Sequence, residues 1–154
     1  MRMSASERWA LYPMHLMFMF MIHFCFGGMN LLWSITYGKD STGIYVFSAL
    51  FLFTWLLYSM SMRRRQVDFM ILTSIYWLGG LAFFLFFYTY NQDSSITFIL
   101  LFPFYGSLLG FSQFFINTTY ETTGLISSHL LCYAMILLFT LIAGRHSKRL
   151  NKTM

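Results

Sequence analysis

Met62-Arg63-Arg64-Arg65-Gln66 interrupts two long apolar stretches, and its reading decides how the chain folds. Three adjacent guanidinium groups resist transfer into hydrocarbon, so they hold their loop on the cytoplasmic side and orient the apolar segments around them. Residues 44–62 before the arginines and 69–90 after them carry no charge. Each is close to the ~20 residues that cross ~30 Å of hydrocarbon as a helix. Further out, residues 13–36, 96–116 and 125–143 have the same character. With these boundaries the ten Lys and Arg and the five Asp and Glu all fall outside the five segments.

That partition predicts an all-α integral membrane protein of the cell (cytoplasmic) membrane, a compact bundle of five transmembrane helices. A single domain covers 13–143, with a juxtamembrane segment at 1–12 and a basic tail at 144–154. Ser4-Ala5-Ser6-Glu7 fits a capping box, Trp9 and Tyr12 suit the headgroup boundary, and Pro13 is placed for the first turn of the first span. Composition agrees. The chain is 58% hydrophobic and 10% charged, against about a quarter charged in soluble domains. A net charge of +5 would suggest nucleic acid in a soluble protein, but here the cations flank apolar ends. Topology and anionic lipid headgroups account for them, with Arg63, Arg64, Arg65, Arg145, Lys148 and Arg149 as the headgroup set.

Charge and hydropathy disagree about the count. Five crossings put the N-terminus and the Arg63–Arg65 loop on one side and the tail on the other. Arg2, Arg8 and the three arginines then face Lys39, Arg145, Lys148, Arg149 and Lys152, five against five, with no positive-inside bias. If 96–116 did not cross, the count would be nine against one. Pro103, Gly106 and Gly110 could fold that segment into a re-entrant hairpin, which must be buried in protein or line a wet cavity. Five crossings is the expectation because twenty-one uncharged residues insert readily; four crossings plus a re-entrant 96–116 is the alternative. A balanced count also fits insertion in both orientations.

Candidate chemistry is sparse. His15 and His23 lie on the first span and are separated by about 80° and ~12 Å, too far to share one ion. His129 lies on the last span, and in the five-crossing order it shares a depth with His15. A haem or metal site using His15 or His23 with His129 follows as a minor expectation, behind simple bonding of each ring to neighbouring backbone. Met14, Met17 and Met21 share a face that could bind copper(I), though packing explains them more simply. Cys25 and Cys132 are expected as free thiols. Asp68 is placed to pair with Arg64 or Arg65. Asn117-Thr118-Thr119 matches a glycosylation sequon. No hydrolase, zincin or phosphate-loop motif is present, so the chain is not expected to be an enzyme, and neither a metal nor a cofactor is expected.

Packing features are better represented. Gly106 and Gly110 are four apart; Gly124, Ser128 and Cys132 form a second small stripe; Gly27-Gly28 and Gly79-Gly80 offer further points of close approach. Asn30, Gln113 and Asn117 are expected to point inward or sit at the boundary. These features predict an accessory, regulatory or immunity-type membrane subunit, packing on another membrane protein or on itself. The alternative is a small oligomeric transporter or channel lined by Gln113, Asn117, Ser128 and His129.

Overall fold

The computed structural model describes residues 5–38, 42–90, 105–113 and 121–153. Its regular structure is helical: α1 (Ala5–Tyr37), α2 (Thr42–Ser61), a 3-10 turn (Arg63–Arg65), α3 (Gln66–Tyr90), α4 (Leu109–Ser112) and α5 (Glu121–Thr153). Among the described residues, four helical stretches are long and apolar enough to cross a membrane: Leu11–Tyr37, Thr42–Ser61, Gln66–Phe87 and Thr123–Arg145. A fifth is not among them. The expected span 96–116 lies mostly outside the described residues, as do the sequon and Ser4 of the capping box.

Helix boundaries depart from expectation at both ends. Pro13 does not start a helix; it lies inside α1, which already runs from Ala5. A proline there removes one backbone donor, a loss that helices in a bundle absorb locally. At the other end α5 continues to Thr153 through the basic segment, where Lys and Arg are good helix formers and favour a helix C-terminus. α1 stops at Gly38, whose φ of +87° needs glycine and whose N–H bonds Ser34 O at 3.0 Å.

Cross-helix contacts orient the bundle. The Tyr12 hydroxyl donates to Asp68 Oδ1 at 3.2 Å, so this carboxylate takes a tyrosine from α1. Ser59 and Thr140 hydroxyls stand 2.7 Å apart, and a Cβ on Gly144 would run into the Gln66 side chain. The start of α1, the end of α2, the start of α3 and the 140–144 stretch of α5 therefore gather at the arginine turn. Periodicity explains the core: Ile44, Ser48, Phe51, Trp55 and Ser59 form the buried stripe of α2 at three- and four-residue spacing. Met19, Phe69, Trp77 and Ile136 complete it from the other helices. The opposite faces carry exposed Met17, Phe24, Leu32, Ile75 and Ile142, a surface suited to hydrocarbon.

Residues 105–113 do not form one straight helix. Tyr105 and Gly106 are helical, Ser107 and Leu108 turn, and α4 follows. Leu108 N–H bonds Tyr105 O at 3.0 Å, the tighter three-residue closure, before Ser112 N–H resumes the four-residue ladder to Leu108 O.

Candidate functional site

A bend inside an apolar bundle opens backbone groups that lipid cannot satisfy. Asn30, fully buried on α1, answers that need. Its Nδ2 donates to Gly106 O at 2.8 Å and to Ser48 Oγ at 3.1 Å, with Ser107 O at 3.4 Å. Ser48 Oγ also accepts Gly110 N–H at 3.0 Å. Glycine is required at that contact, because a Cβ on Gly110 would stand 2.6 Å from Ile44 O. Two polar side chains on α1 and α2 thus clamp the bend into the half of the bundle away from the arginines. Gln113 is half-buried, and Asn117 lies outside the described residues.

Of the two expected partners for His129, the structure brings His23 to its neighbourhood and leaves His15 apart. His15 Nδ1 stands 2.6 Å from the Tyr58 hydroxyl, near the arginine end. His23 and His129 both lie against Trp77, with ring centroids 5.2 and 4.6 Å from it. His15 and His129 therefore do not meet; the depth of His23, which His129 approaches, is two helical turns and ~12 Å further along α1. The reason is direction. α5 runs toward the arginine turn, so its early residue His129 belongs to the far half.

Each buried imidazole has one nitrogen beside a backbone carbonyl: His23 Nδ1 at 3.3 Å from Met19 O, and His129 Nε2 at 2.8 Å from Trp77 O. A carbonyl only accepts, so those nitrogens carry the protons. In the neutral ring the other nitrogen then presents a lone pair. Such an arrangement also prepares a metal ligand, but among the described residues no three His, Cys, Asp or Glu are placed to hold an ion. Met14, Met17 and Met21 face outward, and both cysteines are free, Cys25 exposed and Cys132 buried.

Of the small residues, Gly27, Gly80, Gly106, Gly110, Gly124 and Ser128 are buried, and Ser128 Oγ is spent on Gly124 O at 2.7 Å. Gly28 and Gly79 are exposed, with nothing among the described residues within 4 Å of an added Cβ. Arg63 and Arg145 are exposed at one end of the bundle and Arg65 is partly covered; Arg64 lies in the same turn, and Lys148 and Arg149 continue α5 beyond it.

Sequence reasoning did not single out Trp77, Tyr105 or Ser48. Trp77 had one usable signal: it lies eleven residues into its helix, ~16 Å from the start and far from the interface where tryptophan concentrates. Comparison with protein-family models, with curated proteins and with solved structures finds no match to this chain.

Proposed function

We propose that the chain is a multi-pass membrane protein with four crossings and a re-entrant segment near 96–116. Its N-terminus, arginine turn and basic tail share the cytoplasmic face of the cell membrane. The gathering of four helix ends at Arg63–Arg65 carries this reading. It also removes the charge conflict, since nine of the ten Lys and Arg then lie on one side and Lys39 alone on the other. Single cysteines at Lys39 and Lys152, in a background lacking Cys25 and Cys132, should react with an impermeant thiol reagent from opposite faces of right-side-out vesicles. Reaction from the same face removes the four-crossing order.

Its role, on this reading, is that of a non-catalytic accessory or regulatory subunit. The support is the open surface at Gly28 and Gly79, where another helix backbone can approach closely. A stoichiometric companion that co-purifies with the wild type and is lost in Gly28→Leu and Gly79→Leu supports this role. A companion retained by both variants, or none at all, ends it. A second reading, a small oligomeric transporter, is favoured by the Asn30-clamped bend, because interrupted segments at membrane depth often line solute paths.

A further inference from the structure

The arginine turn packs against α5, so closely that a Cβ on Gly144 would meet the Gln66 side chain. That contact sets Arg145 of α5 beside the turn that carries Arg63, and both arginines are exposed. Asp68, the acid of α3 at this end, already takes the Tyr12 hydroxyl on Oδ1 at 3.2 Å. On the four-crossing order the imbalance extends over the whole face. Nine Lys and Arg share it with Glu7 and Asp68, while Lys39 shares the far face with Asp40, Asp93 and Glu121. Next to this cationic rim the surface is apolar. Val67 and Ile71 are exposed on α3, four and eight residues after Arg63; Leu141 and Ile142 are exposed on α5, just before Arg145. Cations at the rim with hydrocarbon-facing side chains immediately inward match an amphiphile of negative head and apolar tail.

We propose that Arg63 and Arg145 seat the phosphate of one anionic phospholipid, whose acyl chains lie along Val67, Ile71 and Ile142. A guanidinium presents a planar fork of donors that fits two phosphate oxygens, so two from different elements can hold one phosphate. The field selects the headgroup. A choline or ethanolamine head would bring its own ammonium into a surplus of cations, whereas a glycerol head leaves the phosphate charge unopposed. Free phosphate has the charge but no use for the exposed apolar side chains beside it. The surplus rests on the four-crossing order; the seat itself needs only the packing of α5 on the arginine turn. A lipid held there ties together two segments that are distant in sequence, so it should stabilise the fold.

The test uses the purified full chain in neutral detergent micelles, with thermal unfolding followed by tryptophan fluorescence. Phosphatidylglycerol is titrated at constant ionic strength, with phosphatidylcholine of the same acyl chains and sodium phosphate as controls. A saturable rise in melting temperature with phosphatidylglycerol, absent with both controls, supports the seat, because a ligand of the folded chain stabilises it. Arg63→Gln combined with Arg145→Gln should move the midpoint to about tenfold more lipid or beyond. Lys148→Gln combined with Arg149→Gln acts ~4.5 and ~6 Å further along α5 and should move it less than about threefold. No saturable rise overturns the proposal, as does equal stabilisation by phosphatidylcholine or by sodium phosphate. An unmoved midpoint in the Arg63 and Arg145 variant overturns it too. So does an equal shift in the tail variant, since the cations would then act as a diffuse field. Arg145→Gln alone changes one exposed side chain within a helix, so it carries the test if the double variant does not fold. Micelles have no sides, so failure of the seat and failure of the four-crossing order are read separately.

Discussion

The two halves of the bundle handle polar groups in different proportions. Toward the arginine turn, side chains bond one another directly across helices: Tyr12 to Asp68, His15 to Tyr58, Ser59 to Thr140, and Tyr133 to Ser74 at 2.7 Å. Away from it, side chains mainly serve backbone, as Asn30 does for Gly106, Ser48 for Gly110 and His129 for Trp77, with Asn30 to Ser48 as a direct bond beside them. Two straight helices can present complementary side chains to each other at fixed register. A bent segment exposes carbonyls and N–H groups that must be met first, and this uses up the side chains nearby. One half is therefore braced, and the other is organised around an interruption.

Breaking the interruption should have the larger effect. In Asn30→Leu the Gly106 carbonyl loses its 2.8 Å donor while remaining buried, a loss on the order of 1–3 kcal/mol, and a bulkier apolar group is forced against the bend. The expected result is a clear fall in thermal stability in detergent, with amide hydrogen exchange in 105–113 rising before exchange in α2 or α3. Uniform exchange across the bundle would show that the two halves unfold as one. Gly110→Ala attacks the same contact from the other side. Its Cβ would meet Ile44 O at 2.6 Å, a backbone atom that cannot move aside, so about 1–3 kcal/mol of overpacking is expected. An unchanged melting temperature would mean that the segment is not seated on α2.

The class of the fold was legible in the sequence because it depends only on long uncharged runs, and those are local. The interruption within 96–116 was not, and the described residues 105–113 show why. Hydropathy counts apolar residues and is nearly blind to Ser107 and Gly106, whereas a helix is interrupted by backbone chemistry that a distant side chain, Asn30, makes affordable. The charge count already favoured the alternative of four crossings, since nine against one is the expected bias and five against five is none. The histidine site suffered from the same choice. Pairing His15 with His129 followed from five crossings, and reversing α5 puts His129 beside Trp77 and His23 instead. The glycine pairs at 27–28 and 79–80 marked places of close approach, but which member of each faces inward depends on helix rotation. The structure buries Gly27 and Gly80 and leaves their neighbours outside.

Perturbing the braced half should cost less. The Thr140 hydroxyl donates its single proton to Ile136 O at 2.7 Å, so in the pair with Ser59 it is Ser59 that donates. Ser59→Ala removes that donor and leaves Thr140 still bonded within its own helix. A loss of about 0.5–1.5 kcal/mol is expected, with exchange in 105–113 unaltered. If Ser59→Ala instead loosened 105–113 as much as Asn30→Leu does, the halves would be mechanically continuous, and the separation of bracing from interruption would fall.

The smallest intramolecular effects belong to Gly28→Leu and Gly79→Leu. Among the described residues nothing lies within 4 Å of a Cβ at either position, so stability of the isolated protein should change by no more than about 0.5 kcal/mol. Both positions lie beyond the level at which His23 meets Trp77, in the same half as the bend. A partner helix docking there would stand beside the interrupted segment rather than the braced end. Loss of a companion without loss of stability would therefore place association and interruption in one half of the molecule. A stability change of the size seen for Gly110→Ala would show instead that these glycines face their own bundle.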